Sequence, residues 1–140
     1  MSELEKIREA RAVIAAARAQ RIGDRAEAEE LEREKQLLAD DEAMEKAEAA
    51  HGPPGRAILA VPTDLGVVIV KRPHAALFRR FQDSETTSMQ ECEKLVRPCV
   101  VHPPSAELDK ILDQLPATLP RLVVAVGVLA GLRKEELAGK

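Results

Sequence analysis

The sequence has no tryptophan and no tyrosine, and only two phenylalanines, Phe78 and Phe81. A core without aromatics relies on Leu, Val, Ile and Ala, which bury less area per side chain. Partners or self-association are therefore expected to supply part of the stability. Cysteine is equally scarce. Cys92 and Cys99 allow one bridge at most in 140 residues, which is not a disulfide framework. Long apolar runs are missing too: the stretch 122–132 falls short of the ~20 residues that a membrane span needs. The first thirty residues lack the apolar segment and cleavage site of a signal peptide. A cytoplasmic location is expected.

Neither sign of charge dominates. With 21 basic and 24 acidic side chains the formal net charge is −3, which points away from nucleic acid and membrane as partners. The distribution is uneven. Residues 1–50 carry nine basic and fourteen acidic side chains, net −5, and the remainder is net +2. Catalytic signatures are also missing. There is no phosphate-binding loop, dinucleotide fingerprint, H-E-x-x-H or nucleophile motif. His74, His102, Cys92 and Cys99 lack the close paired spacing of a zinc site, so they read as small thiols and surface histidines. No enzyme, metal or cofactor is expected.

What is present is mostly helix. Ser2 with Glu5 matches a capping box, and the alanine-rich run that follows has high helix propensity. Leu4, Ile7 and Ile14 recur at helical spacing, and Leu31, Leu38 and Met44 continue more sparsely. Gly23-Asp24 leaves open whether this is one helix or two. The segment is too polar for a core of its own, so residues 1–50 read as a charged helical arm, either solvated, paired as a coiled coil or ordered by a partner. His51-Gly-Pro-Pro-Gly55 breaks it, setting a linker at 51–56.

A small mainly helical domain, α+β in a minor way, is expected at 57–132, with a tail at 133–140. Residues 57–61 and 67–71 are apolar and β-branched around a Pro-Thr-Asp-Leu-Gly turn, the pattern of a β-hairpin. Pro73 is expected to open a helix bearing Leu77, Phe78 and Phe81. Ser88 with Glu91 opens another, Ser105 a third, and Pro120 the last. The stretch 99–102 reads only as a short extended run. The spacing predicts a core of Leu77, Phe78, Phe81, Leu95, Val96, Leu108, Ile111, Leu112, Val123 and Val126. Lys71, Arg72, Arg79 and Arg80 form the compact basic group, either a solvated face or a docking patch for an acidic partner.

Together Val70-Lys-Arg-Pro73, Phe78 and Phe81, Leu95-Val-Arg-Pro-Cys-Val-Val-His-Pro103 and Leu129-Ala-Gly131 make a pattern that resembles the small tail assembly chaperone proteins of long-tailed bacteriophages. The match covers about residues 57–132. The resemblance implies a non-enzymatic assembly factor that coats the tape measure protein, keeps it soluble and helps to recruit tail-tube subunits. A phage-encoded protein of this kind would work in the host cell cytoplasm. One rival reading is a structural virion or assembly component that oligomerises through the arm. A weaker one is a regulatory adaptor. The candidate partner-binding residues are Leu4, Ile7, Ile14, Lys71, Arg72, Arg79 and Arg80.

Overall fold

A computed structural model describes residues 2–84 and 88–133. The fold is mainly helical with one small antiparallel sheet. The predicted arm is one helix, α1, Glu3–His51. Ser2 Oγ accepts from the Glu5 amide at 3.2 Å, closing the expected cap. Gly23 does not interrupt the helix, and Gln20 Nε2 donates across it to Asp24 Oδ1 at 3.1 Å. The stop comes at Gly52, whose φ of +118° suits a residue without Cβ and whose amide still reaches Glu48 O at 2.9 Å.

The chain divides into two units between Leu38 and Ala39, inside α1 rather than at the 51–56 linker. In the first unit, residues 3–38 are helical and exposed throughout.

The second unit begins with the last turns of α1 and continues into the predicted hairpin. Strand β1, Ile58–Thr63, pairs antiparallel with β2, Gly66–Lys71, with Leu59 opposite Val70 and Val61 opposite Val68. Pro62 lies within β1 rather than in the turn. Thr63 organises the two-residue loop: its hydroxyl accepts from the Leu65 amide at 3.1 Å and donates to Gly66 O. The short run after Cys99 is a third strand, β3, Val100–His102, on the other side of β2. The following His102–Pro103 peptide bond is cis.

Alternation along β2 sends its side chains to two separate cores. Val68 and Val70, with Leu59, Val61 and Val100, face the helices that follow. Val67 and Ile69, with Ile58 and Val101, face Ala43, Met44 and Ala47 of α1. Those three α1 residues and Asp40 follow helical spacing on one side. Asp40 Oδ1 also accepts from the Val67 amide at 3.1 Å. The end of α1 is thus a covering layer of the sheet, and the boundary moves into the helix for that reason.

Four helices build the core on the other face: α5, Thr118–Leu129, packs on β1 and β2, α3, Met89–Val96, and α4, Ser105–Gln114, pack on α5, and α2, Ala75–Asp83, packs on α3. A 3-10 turn, Arg97–Cys99, links α3 to β3. Ser88 caps α3 as predicted, its Oγ accepting from the Glu91 amide at 3.2 Å. Elsewhere the caps differ. His74 and Pro104 hold the N-cap positions of α2 and α4 without side-chain bonds, and α5 starts at Thr118, ahead of Pro120. Leu119, Leu122, Ala125, Val126 and Leu129 form the buried stripe of α5. Gly131, at φ +104°, ends it, with Leu132 N reaching back to Gly127 O at 2.9 Å.

Half of the predicted core is buried: Leu95, Val96, Leu108, Ile111 and Val126. The other half, Leu77, Phe78, Phe81, Leu112 and Val123, is only half-buried at its margin. Met89, in the first turn of α3, is exposed. The predicted tail beyond Arg133 lies outside the described residues.

Candidate docking surfaces

The helix that carries both phenylalanines is short and strongly two-sided, yet none of its residues is fully buried. Leu77, Phe78 and Phe81 rest on the core with part of each side chain open, while Arg79 and Arg80 stand outward. The 3-4 spacing of the apolar residues dictates this division. With nine residues and no side-chain cap, α2 has little stability of its own and depends on its contacts.

A hollow lies on each side of α2. The one toward α3, about 690 Å³, has Leu77, Phe81 and Leu95 in its wall, with the cations Arg80, Lys94 and Arg97 and the anions Glu91 and Glu93 around them. Two of those cations already have partners. Lys94 Nζ is 3.4 Å from Glu91 Oε1, and Arg97 bonds Asp109 Oδ1 and lies 3.8 Å from Glu93. The Asp109 bond, foremost, holds the Arg97 guanidinium above its ordinary pKa against a smaller opposing effect of burial.

The second hollow, about 560 Å³, lies toward the end of α5. Phe78, Leu129 and Leu132 give it apolar walls and Arg72 and Arg79 its charge. Arg72 Nη2 donates to Arg56 O at 2.7 Å. Arg79 has no ion pair among the described residues. An apolar side chain with an acidic neighbour matches this chemistry.

The four predicted basic residues therefore do not form one patch. Arg72 and Arg79 share a hollow, and Arg79 and Arg80 border a shallower one with Asp83 and Glu91. Lys71 is half-buried at the end of β2, paired across the ladder with Ile58. Its charge acts on Cys99, whose thiol is nevertheless pushed up because burial outweighs it. The Cys92 thiol is also raised, by burial and then by Glu91. Both cysteines are free. Raised thiols are weak nucleophiles. Among the described residues no group of three His, Cys, Asp or Glu side chains is placed to hold a metal ion, and no helix is long and apolar enough to cross a membrane.

Leu4, Ile7 and Ile14 lie on the first unit, each 57% exposed. Ile14 borders a hollow of about 360 Å³ on the helix surface with Arg11, Ala15, Arg18, Ala19 and Ile22. Leu129 and Leu132 escaped sequence reasoning as site residues, because their part in the hollow depends on where α5 ends. No protein-family model, no curated protein and no solved structure matches the chain.

Proposed function

We propose that the protein is a non-enzymatic assembly chaperone that holds an apolar, helical client. The reading follows the resemblance of residues 57–132 to tail assembly chaperones, with the tape measure protein and tail-tube subunits as the corresponding clients. The observation that carries it is α2: an amphipathic helix with both aromatics half-open, flanked by a hollow whose charge comes from Arg72 and Arg79 and by a second hollow of mixed charge. A client helix with leucines and acidic flanks would complete the burial that α2 leaves unfinished.

The test is co-expression with the long helical protein encoded in the same genetic context, followed by analysis of finished particles. A chaperone keeps the client soluble and is absent from the particle. Arg79→Glu with Arg80→Glu should weaken client retention without unfolding the domain, since both side chains are exposed. Presence in particles at fixed copy number would favour the rival reading, a structural component. The exposed apolar residues of α1 support that second reading.

A further inference from the structure

Two stripes on α1 mirror each other. Ile7, Arg11, Ile14 and Arg18 follow the spacing i, i+4, i+7, i+11, as do Glu27, Leu31, Glu34 and Leu38. At 3.6 residues per turn each set lies on a narrow face. All eight belong to the first unit and are solvent-facing, with Ile7 and Ile14 both 57% exposed, Leu31 56% and Leu38 61%. None of the four charges has an ion pair among the described residues. Along α1, residues 3–26 hold six basic and four acidic side chains, and residues 27–50 hold three basic and ten acidic.

We propose that the Glu27–Leu38 stripe of one copy packs antiparallel on the Ile7–Arg18 stripe of a second copy. Setting Ile14 opposite Leu31 also sets Ile7 opposite Leu38, Arg11 opposite Glu34 and Arg18 opposite Glu27. Apolar then meets apolar and each cation meets an anion. The parallel alternative, Ile7 on Leu31 and Ile14 on Leu38, puts Arg11 against Lys35, two like charges. The receiving surface is already shaped: Arg11, Ile14, Ala15 and Arg18 enclose the helix-surface hollow, and their spacing is that of the four-residue hole that accepts a knob from a facing helix. Leu31 is the knob.

The second stripe trails the first by twenty residues, which turns it by roughly 200° around the helix. The stripes thus lie on nearly opposite sides. One copy meets two different neighbours, and the interface is heterologous rather than two-fold. Association then proceeds past the dimer. This inference is independent of the client-binding proposal, because it leaves α2 untouched.

Sedimentation of the full chain over a range of concentrations, at low salt, tests it. The wild type should show a mass that rises with concentration beyond the dimer. Arg11→Glu with Arg18→Glu, and separately Glu27→Arg with Glu34→Arg, should each shift association to concentrations roughly tenfold higher or more, since two attractive pairs become repulsive. An equal mixture of the two variants, or the fourfold variant, should regain wild-type association. Leu31→Ala removes the knob while favouring the helix and should weaken association as well. The proposal fails if the wild type stays monomeric or stops at a dimer. It also fails if single-stripe variants or Leu31→Ala associate like the wild type, or if neither the mixture nor the fourfold variant recovers.

Discussion

The amide of Val67, at the start of β2, donates to the carboxylate of Asp40 on α1 at 3.1 Å. This bond links the central strand to the helix that covers it. Without the carboxylate the half-buried amide loses its partner, which costs about 1–3 kcal/mol. Asp40→Ala should lower the urea midpoint by a corresponding amount, and Asp41→Ala, one position along on the exposed surface, should leave it close to the wild-type value.

A larger effect is expected from truncation. A chain starting at Ala39 retains the helix segment over Ile58, Val67 and Ile69 and should unfold cooperatively, like the parent. A chain starting at Arg56 uncovers those three side chains, each worth about 1.5–3 kcal/mol when fully buried. That is a large share of the ~5–15 kcal/mol by which domains are stable. Equal stability of the two chains in urea titrations would show that α1 does not support the sheet.

Core substitutions should follow the observed burial rather than side-chain size. Leu122 has no exposed surface, so Leu122→Ala should cost about 2–5 kcal/mol. Phe78 is half-open, and Phe78→Ala should cost less, about 1–2 kcal/mol, because part of the ring stays in water in both states. Thermal melts of the two variants side by side decide the order.

The thiols predict an alkaline limb. Cys99 and Cys92 both titrate above their ordinary value of 9.0, mainly through burial. As pH rises past that value the unfolded chain releases these protons before the folded one. The thiols' contribution is therefore complete below the unfolded pKa and is lost as pH passes through the folded values. Stability should fall with rising pH in this range, and Cys99→Ala should flatten the slope. A thiol reagent at neutral pH should label Cys92, which is half-buried, before Cys99, which is buried.

The hairpin was legible because β-branched residues surround a turn whose Thr63 and Gly66 suit a tight loop, and Ser88 marked the start of α3 in the same local way. The third strand was not. Three residues carry no usable periodicity, and Val100–His102 becomes a strand only because β2 offers a free side. Nor was the helix-to-sheet layer. It is made by Ala43, Met44 and Ala47, small or flexible side chains inside a strongly charged sequence, where composition reads as a solvated arm. Helical spacing placed Phe78 and Phe81 in the core, but a nine-residue helix at the margin leaves each of them only half-buried. Among the candidate site residues, Arg72 and Arg79 do share a hollow, whereas Lys71 turns away because the strand continues through it.

The pairing of β1 settles what the sheet's outer edge offers. Arg72 N bonds Ala57 O, and Leu59 and Val61 lie opposite Val70 and Val68. The odd-numbered residues therefore point their main-chain groups inward, and Ile58, Ala60 and Pro62 point theirs out. Ile58 O is already taken by the Gly55 amide at 2.7 Å, and Pro62 has no hydrogen to give. Ala60 alone presents an intact donor and acceptor. At the opposite margin β3 is three residues long and runs directly into Pro103 and Pro104. Neither margin presents a run of consecutive free main-chain groups long enough to template a fourth strand, which disfavours the edge-to-edge stacking that seeds amyloid.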